Sequence, residues 1–245
     1  MSDFMDYKHA ISIRYSCRSY LPDKIEASIV EKLQASITDY NLLSGLNIQL
    51  ILNNGDAFSG LSKSYGMFSG VNNYIAMIGR SNGIHEKEKI GYYGEKLVLE
   101  ATEYGLGTCW VAGTYNKDAC VCKLGSREEI YCVIPIGYPA VKKSFKDKLI
   151  NTVVNTKKKP VKDFFDSKNN IPDWFLEGIK AVQSAPSAVN KQPVKFSFTD
   201  DTNETLPSVH AWITSNRYGT EQIDLGIAKL HFEIGASDVD WEWED

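Results

Sequence analysis

Residues 184–196 read SAPSAVNKQPVKF. Two prolines, Pro186 and Pro193, bracket Ser187, Asn190 and Gln192, and the alternating run Val194, Phe196, Phe198 follows. The prolines stiffen a loop, and the polar side chains give it both donors and acceptors. The alternation predicts a half-buried strand. On composition alone, a plain surface loop fits these residues as well. A stretch of the same shape stands near the start of the chain. Ser36 aligns with Ser184, and Leu46, Ile48 and Leu50 align with Val194, Phe196 and Phe198. There the strand pattern is kept, while the loop chemistry has decayed to TDYNLLSG at residues 38–45.

Two further pairs match in the same order. LPDKIEASI (residues 21–29) aligns with IPDWFLEGI (residues 171–179). Each is an apolar-Pro-Asp entry that predicts a helix with Asp as its N-cap. Apolar residues then recur at helical spacing: Ile25, Ile29, Leu33 in one copy and Phe175, Ile179, Val182 in the other. GEKLVLEATEYGLG (residues 94–107) pairs loosely with GIAKLHFEIGA (residues 226–236). Both predict amphipathic helices that stop at a glycine, Gly105 and Gly235. Chance similarity of common units is the alternative, but three matches in one order favour internal duplication. The polar, basic stretch 151–170, NTVVNTKKKPVKDFFDSKNN, connects the copies. The expected division is residues 1–165 and a shorter 166–245.

The 245 residues suffice for one large domain or two small ones. A net charge of −4 does not favour a nucleic-acid partner. The opening lacks a signal-peptide core, and no run approaches the ~20 apolar residues of a membrane helix. A cytoplasmic protein off the membrane is expected, with its five cysteines reduced. Cys120 and Cys122 lack zinc spacing and a nearby His, so they predict ordinary thiols. The acidic, aromatic end SDVDWEWED carries no recognisable role, and a packed tail is the default reading.

Candidate chemistry sits in few places. RYSCRSY (residues 14–20) puts Arg14 and Arg18 four apart, on one face if the segment is helical, with Ser16 between them. Two guanidiniums and a hydroxyl suit a phosphate dianion; a solvated basic helix end is the alternative. KKKP (residues 157–160) adds cations that matter only if folding brings them to the same anion. YGLGTCWVAG (residues 104–113) follows a helix whose buried face is Tyr93, Leu97, Ala101 and Tyr104. Its Gly-x-Gly ends a helix and starts a strand, the reverse of a dinucleotide fingerprint. YCVIPIGYPA (residues 131–140) predicts a buried strand. With NIQLILNN and NNYIAMIGR it gives an α+β sandwich. His9, His85, His210 and His231 form no Ser-His-Asp order, and His231 fits a packing or surface role.

Together these segments resemble the flavin-dependent nitroreductase family. RYSCRSY is similar to its Arg-Arg-Ser-x-Arg-x-Phe motif, and APSAVNKQPVKF to its Ala-Pro-Ser-x-x-Asn-x-Gln-Pro-Trp-x-Phe segment. YGEKLVLEATEYGLGTCWVAG and IPIGYP resemble its late helix and two strands, and KKKPVKDF its basic Arg-Lys-Pro-Leu tail. In that family two chains pair, and each flavin site takes the Pro-Ser-x-x-Asn segment from the partner. Here that segment stands in the second half of one chain. The arrangement is similar to nitroreductases in which one chain mimics the family homodimer. The resemblance implies two fused, degenerate halves forming an intrachain pseudo-dimer, active as a monomer. It implies one FMN, with Arg14, Ser16, Arg18, Lys157 and Lys159 at the phosphate. Pro186, Ser187, Ala188 and Asn190, with the backbone of Ala112 and Gly113, would meet the ring. No side chain is expected to be catalytic. The implied activity is hydride transfer from NAD(P)H to a nitroaromatic, quinone or similar acceptor. A flavin-binding storage or sensor protein is the alternative, and Val194, where the family often has Trp, leaves room for a scaffold without flavin.

Overall fold

The computed structural model describes residues 6–59, 67–83, 85–140, 159–166, 171–199 and 206–244. Helix α1 (Tyr7–Ile13) is capped by Asp6, whose carboxylate accepts the His9 N–H at 2.9 Å. The chain then leaves the helix, with Arg14 at φ −59° and ψ 136°. Residues 14–20 are therefore not the helical turn the spacing suggested. Their backbone is satisfied by neighbouring chain instead. Cys17 N–H donates to Thr108 O at 2.8 Å and Tyr20 N–H to Ser69 O at 2.9 Å. Extended chain also places i, i+2 and i+4 on one side, so Arg14, Ser16 and Arg18 stay together by a different periodicity.

Helix α2 (Ala27–Ser44) buries Leu33 and Ile37. Asp23 does not cap it; the residue before the helix is Glu26, which makes no capping side-chain bond. The helix runs through most of residues 38–45, where a decayed loop was expected, and ends at Gly45 with φ 75°. Glycine takes that left-handed turn without a Cβ penalty. Strand β1 (Gln49–Ile51) follows almost at once.

With β2 (Tyr74–Arg80), β3 (Gly107–Thr108) and β4 (Glu128–Gly137), β1 forms an antiparallel sheet in the order β1-β2-β4-β3. Tyr74 through Gly79 are buried, because both faces of the sheet are covered. One face packs Ile75, Met77, Ile134 and Ile136 against α2 and helix α3 (Glu86–Glu103). The other packs Ala76, Ile78 and Val133 against Phe58, Val111 and Tyr115.

The second half has helix α4 (Asp173–Ser184), strands β5 (Val194–Thr199) and β6 (Ser208–Ile213), helix α5 (Glu221–Gly235) and strand β7 (Glu242–Trp243). Asp173 is the first helical residue of α4 rather than its cap. β5 and β6 pair antiparallel, and β7 joins β6 in parallel. Their core is aromatic: Phe164, Phe175, Phe196 and Phe232 are fully buried, each contributing about 1.5–3 kcal/mol. Residues 161–166 belong to this core through Phe164 and the Phe165–Phe196 bridge. The acidic tail packs here too, with Trp241 and Trp243 ring centroids 5.1 and 5.7 Å from Phe232. Gly235 is the last residue of α5, as the glycine stop predicted, with Ala236 as the cap. A Cβ on Gly235 would stand 2.6 Å from Glu177 O, so this glycine also serves helix packing.

α3 and α5 join the halves. They cross with backbone in contact: a Cβ on Gly91 would meet Ile223 O at 2.0 Å, and one on Gly226 would meet Glu88 O at 1.9 Å. The two contacts are reciprocal, as in the isologous interface of a C2 dimer. They pair Gly226 with Gly91, about a helical turn from the Gly94 that sequence alignment chose. Among the described residues, no helix is long and apolar enough to cross a membrane.

Candidate functional site

Arg14, Ser16 and Arg18 converge on one point of the first half, the thiol of Cys109 just after β3. Burial pushes that thiol up, while the charges of Arg18 and Arg14 and a hydrogen bond with Ser16 pull it back. The Ser16–Thr108 bridge fixes the segment in place. Arg14 is mostly buried, yet poorly supplied with acceptors. Its Nη2 donates to Ser184 O at 3.4 Å, and its buried Nε has no hydrogen-bond partner. Among the described residues, Arg18 Nη1 donates to Ser16 O alone, also at 3.4 Å. Two guanidiniums with long contacts to neutral carbonyls suit an added anion.

The Arg14–Ser184 bond reaches the last residue of α4 in the second half. Residues 186–190 follow directly. Ala188–Asn190 make a short 3-10 turn in which Val189 and Asn190 have φ 45° and 54°, and Gln192 has φ 46°. A β-branched residue in this region is strained, and such strain clusters at ligand clamps. Three contacts hold it. Ser187 Oγ accepts the Gln192 N–H at 2.8 Å, Asp224 on α5 accepts the Ala188 N–H at 3.0 Å, and Asn190 N–H donates to Ser187 O at 3.0 Å. Gln192 is buried and donates to the carbonyls of Val182, Gln183 and Ala185, closing the end of α4. Burial raises the Asp224 carboxyl from 3.8 to about 7, although the Ala188 N–H lowers it. A cavity of about 10 Å³, at the lower limit for one water, lies between Asp224, Ser187 and Gln192.

Ala112 and Gly113 are exposed beyond Val111, which exchanges backbone bonds with Val133. A Cβ on Gly113 would meet nothing within 4 Å, so a flat group has room against the backbone there. Lys159 is placed differently from the sequence expectation. Its Nζ donates to Gln192 O at 3.1 Å and Val194 O at 3.2 Å and sits over the Phe164 ring. Burial lowers its pKa, and the charge of Asp163 opposes that. Lys159 thus braces the base of the loop. Lys157 lies outside the described residues.

The sequence did not point to Glu95, Trp110, His231 or Asp224. Glu95 and His231 are fully buried, and His231 Nε2 lies 2.9 Å from Glu95 Oε1 across the α3–α5 seam. Trp110 Nε1–H donates to Glu95 Oε2 at 2.8 Å. Arg14 Nε is 3.8 Å from Glu95 Oε1. The available signal was position: each of these ionisable residues falls on the apolar face of its helix, where unpaired charge is costly. A separate groove of about 590 Å³ lies between β6 and the start of α3, lined in part by His210, Trp212, Tyr131 and Glu129. None of the residues above lines it.

The family model described as "Putative TM nitroreductase" matches residues 6–236. The chain belongs to this nitroreductase family. A solved structure described as a "putative nitroreductase" from Thermotoga maritima shares the fold, with a TM-score of 0.62 and 21% identity over 97% of this chain and 87% of that one. A "putative nitroreductase in complex with FMN" from Desulfovibrio desulfuricans aligns over 98% of its own length but 68% of this chain, with a TM-score of 0.50 and 16% identity. That partial coverage is consistent with a nitroreductase-like fold extended into a fused pseudo-dimer. No curated protein matches the sequence.

Proposed function

We propose that the chain is an FMN-dependent oxidoreductase that takes hydride from NAD(P)H and passes it to a nitroaromatic, quinone or similar small acceptor. The observation that carries this is the composite site. Arg14, Ser16 and Arg18 of the first half meet, through the Arg14–Ser184 bond, the strained loop of the second half. Family membership and the FMN complex of the Desulfovibrio desulfuricans protein support the cofactor.

The residues fit the group. Arg14 and Arg18, short of acceptors, would hold the phosphate with Ser16; Lys157 would add charge, and Lys159 would act through the loop it braces. Pro186, Ser187, Ala188 and Asn190 would face the ring edge, where Ser187 keeps its O–H free to donate after accepting from Gln192. Ala112 and Gly113 would offer backbone. When bound, FMN supplies the hydride chemistry; the chain binds and orients it.

The test is FMN titration of the purified protein, followed by anaerobic addition of NAD(P)H. Tight binding and rapid bleaching of the flavin absorbance are expected. Binding without bleaching would favour storage or sensing. Binding that survives Arg14→Ala and Arg18→Ala but falls with Trp212→Ala would move the cofactor to the groove beside β6.

A further inference from the structure

Glu95 stands beside Arg14, and a buried carboxylate there should compete with any anion for the guanidinium. We infer that His231 prevents this: it brings the proton that neutralises Glu95 and so leaves the charge of Arg14 to an incoming phosphate. The inference rests on the flavin-site reading above and extends it to a positioning residue on the far half of the chain.

The hydrogen bonds fix the proton count. His231 Nδ1 lies 3.1 Å from Ala181 O, a carbonyl that can only accept, so Nδ1 carries a hydrogen. Nε2 lies 2.9 Å from Glu95 Oε1. A bare imidazole nitrogen and an ionised carboxylate would oppose lone pairs at that distance, so one proton lies between them. On either atom, the pair carries no net charge. Both residues are fully buried, so water does not replace this contact. The second carboxylate oxygen is taken by the Trp110 indole.

Arg14 shows the consequence. Its Nε is 3.8 Å from Glu95 Oε1, near enough for an ion pair but without a hydrogen bond. Without the His231 proton, Glu95 would be a buried anion with Arg14 as the nearest cation, and the guanidinium would turn to it. A residue of α5 therefore sets the charge presented by a residue after α1, and the anion site depends on both halves.

The test compares FMN affinity, by flavin fluorescence, for the wild-type chain, His231→Gln and the double variant His231→Gln/Glu95→Gln. Gln cannot carry the extra proton. The single variant should bind about tenfold or more weakly, the scale of a hydrogen bond to a charged group. The double variant, neutral again, should recover to within about threefold of wild type by the same reasoning. Unchanged affinity in the single variant, or a double variant as weak as the single, overturns the inference; a merely structural role predicts the latter. A second measurement needs no flavin. In the apo protein, nitrogen-15 and carbon-13 spectra should show His231 Nδ1 protonated, with a proton on either Nε2 or the Glu95 carboxyl. A bare Nε2 facing an ionised Glu95 overturns it. A wild-type chain that fails to bind FMN would sink the flavin reading, and these spectra would then decide the proton.

Discussion

At the scale of the residue, Arg14 and Arg18 give the most direct test of the anion site. Arg18→Ala should weaken FMN binding by about 1.5–3 kcal/mol, with a similar loss for Arg14→Ala, as read by equilibrium titration. Unchanged affinity in both would return residues 14–18 to a structural role. Asp224 predicts a pH dependence. Its carboxyl is raised from 3.8 to about 7, first by burial, so its contribution to stability is complete below pH 3.8 and is lost as pH rises through about 7. Asp224→Asn keeps an acceptor for the Ala188 N–H but cannot ionise. Its melting temperature should exceed wild type at pH 8, and the gain should shrink towards pH 5. A gain that grew towards acid would contradict this sign. Arg14, Ser16, Arg18, Ser187 and Asn190 could be nominated as candidates from the sequence because each belongs to a local pattern of donors. Glu95, His231 and Asp224 were not, because their partners lie on the opposite half and only folding brings them together.

At the scale of the element, alternation and helical spacing located the strands and helices, because burial of one face imposes those periods. The failures were local competitions. Residues 14–20 lost their expected helix to backbone bonds with Thr108 and Ser69. Residues 38–44, read as a decayed loop, instead extend α2, so among the described residues no counterpart of the Pro-Ser-x-x-Asn loop stands at that place in the first half. Neither Asp23 nor Asp173 caps its helix by a side-chain bond. The α3–α5 seam leaves no periodic signal in the sequence, since it depends on two glycines rather than on a pattern. Gly226→Ala would place a Cβ 1.9 Å from Glu88 O, and backbone cannot yield as a side chain does. Denaturant unfolding should show a loss of about 1–3 kcal/mol or more, the range for overpacked sites. A neutral substitution would mean that the helices do not touch there.

At the scale of the whole molecule, the reciprocal Gly91 and Gly226 contacts join two halves as the protomers of a symmetric dimer are joined. Residues 1–165 alone would expose the face of α3 that α5 covers. This fragment should therefore aggregate or self-associate, and a soluble monomer with a cooperative melt would contradict the built-in dimer. The likeness of the halves was visible in the sequence, but the register in which α3 and α5 cross was not. The loop survives only after α4, and the arginine segment only after α1. On the proposed reading, these complementary losses leave one complete site. Its direct test is flavin stoichiometry: saturate the protein with FMN, remove the excess, denature it and quantify the released flavin against chain concentration. The account predicts one FMN per chain; two per chain, or none after saturation, would contradict it.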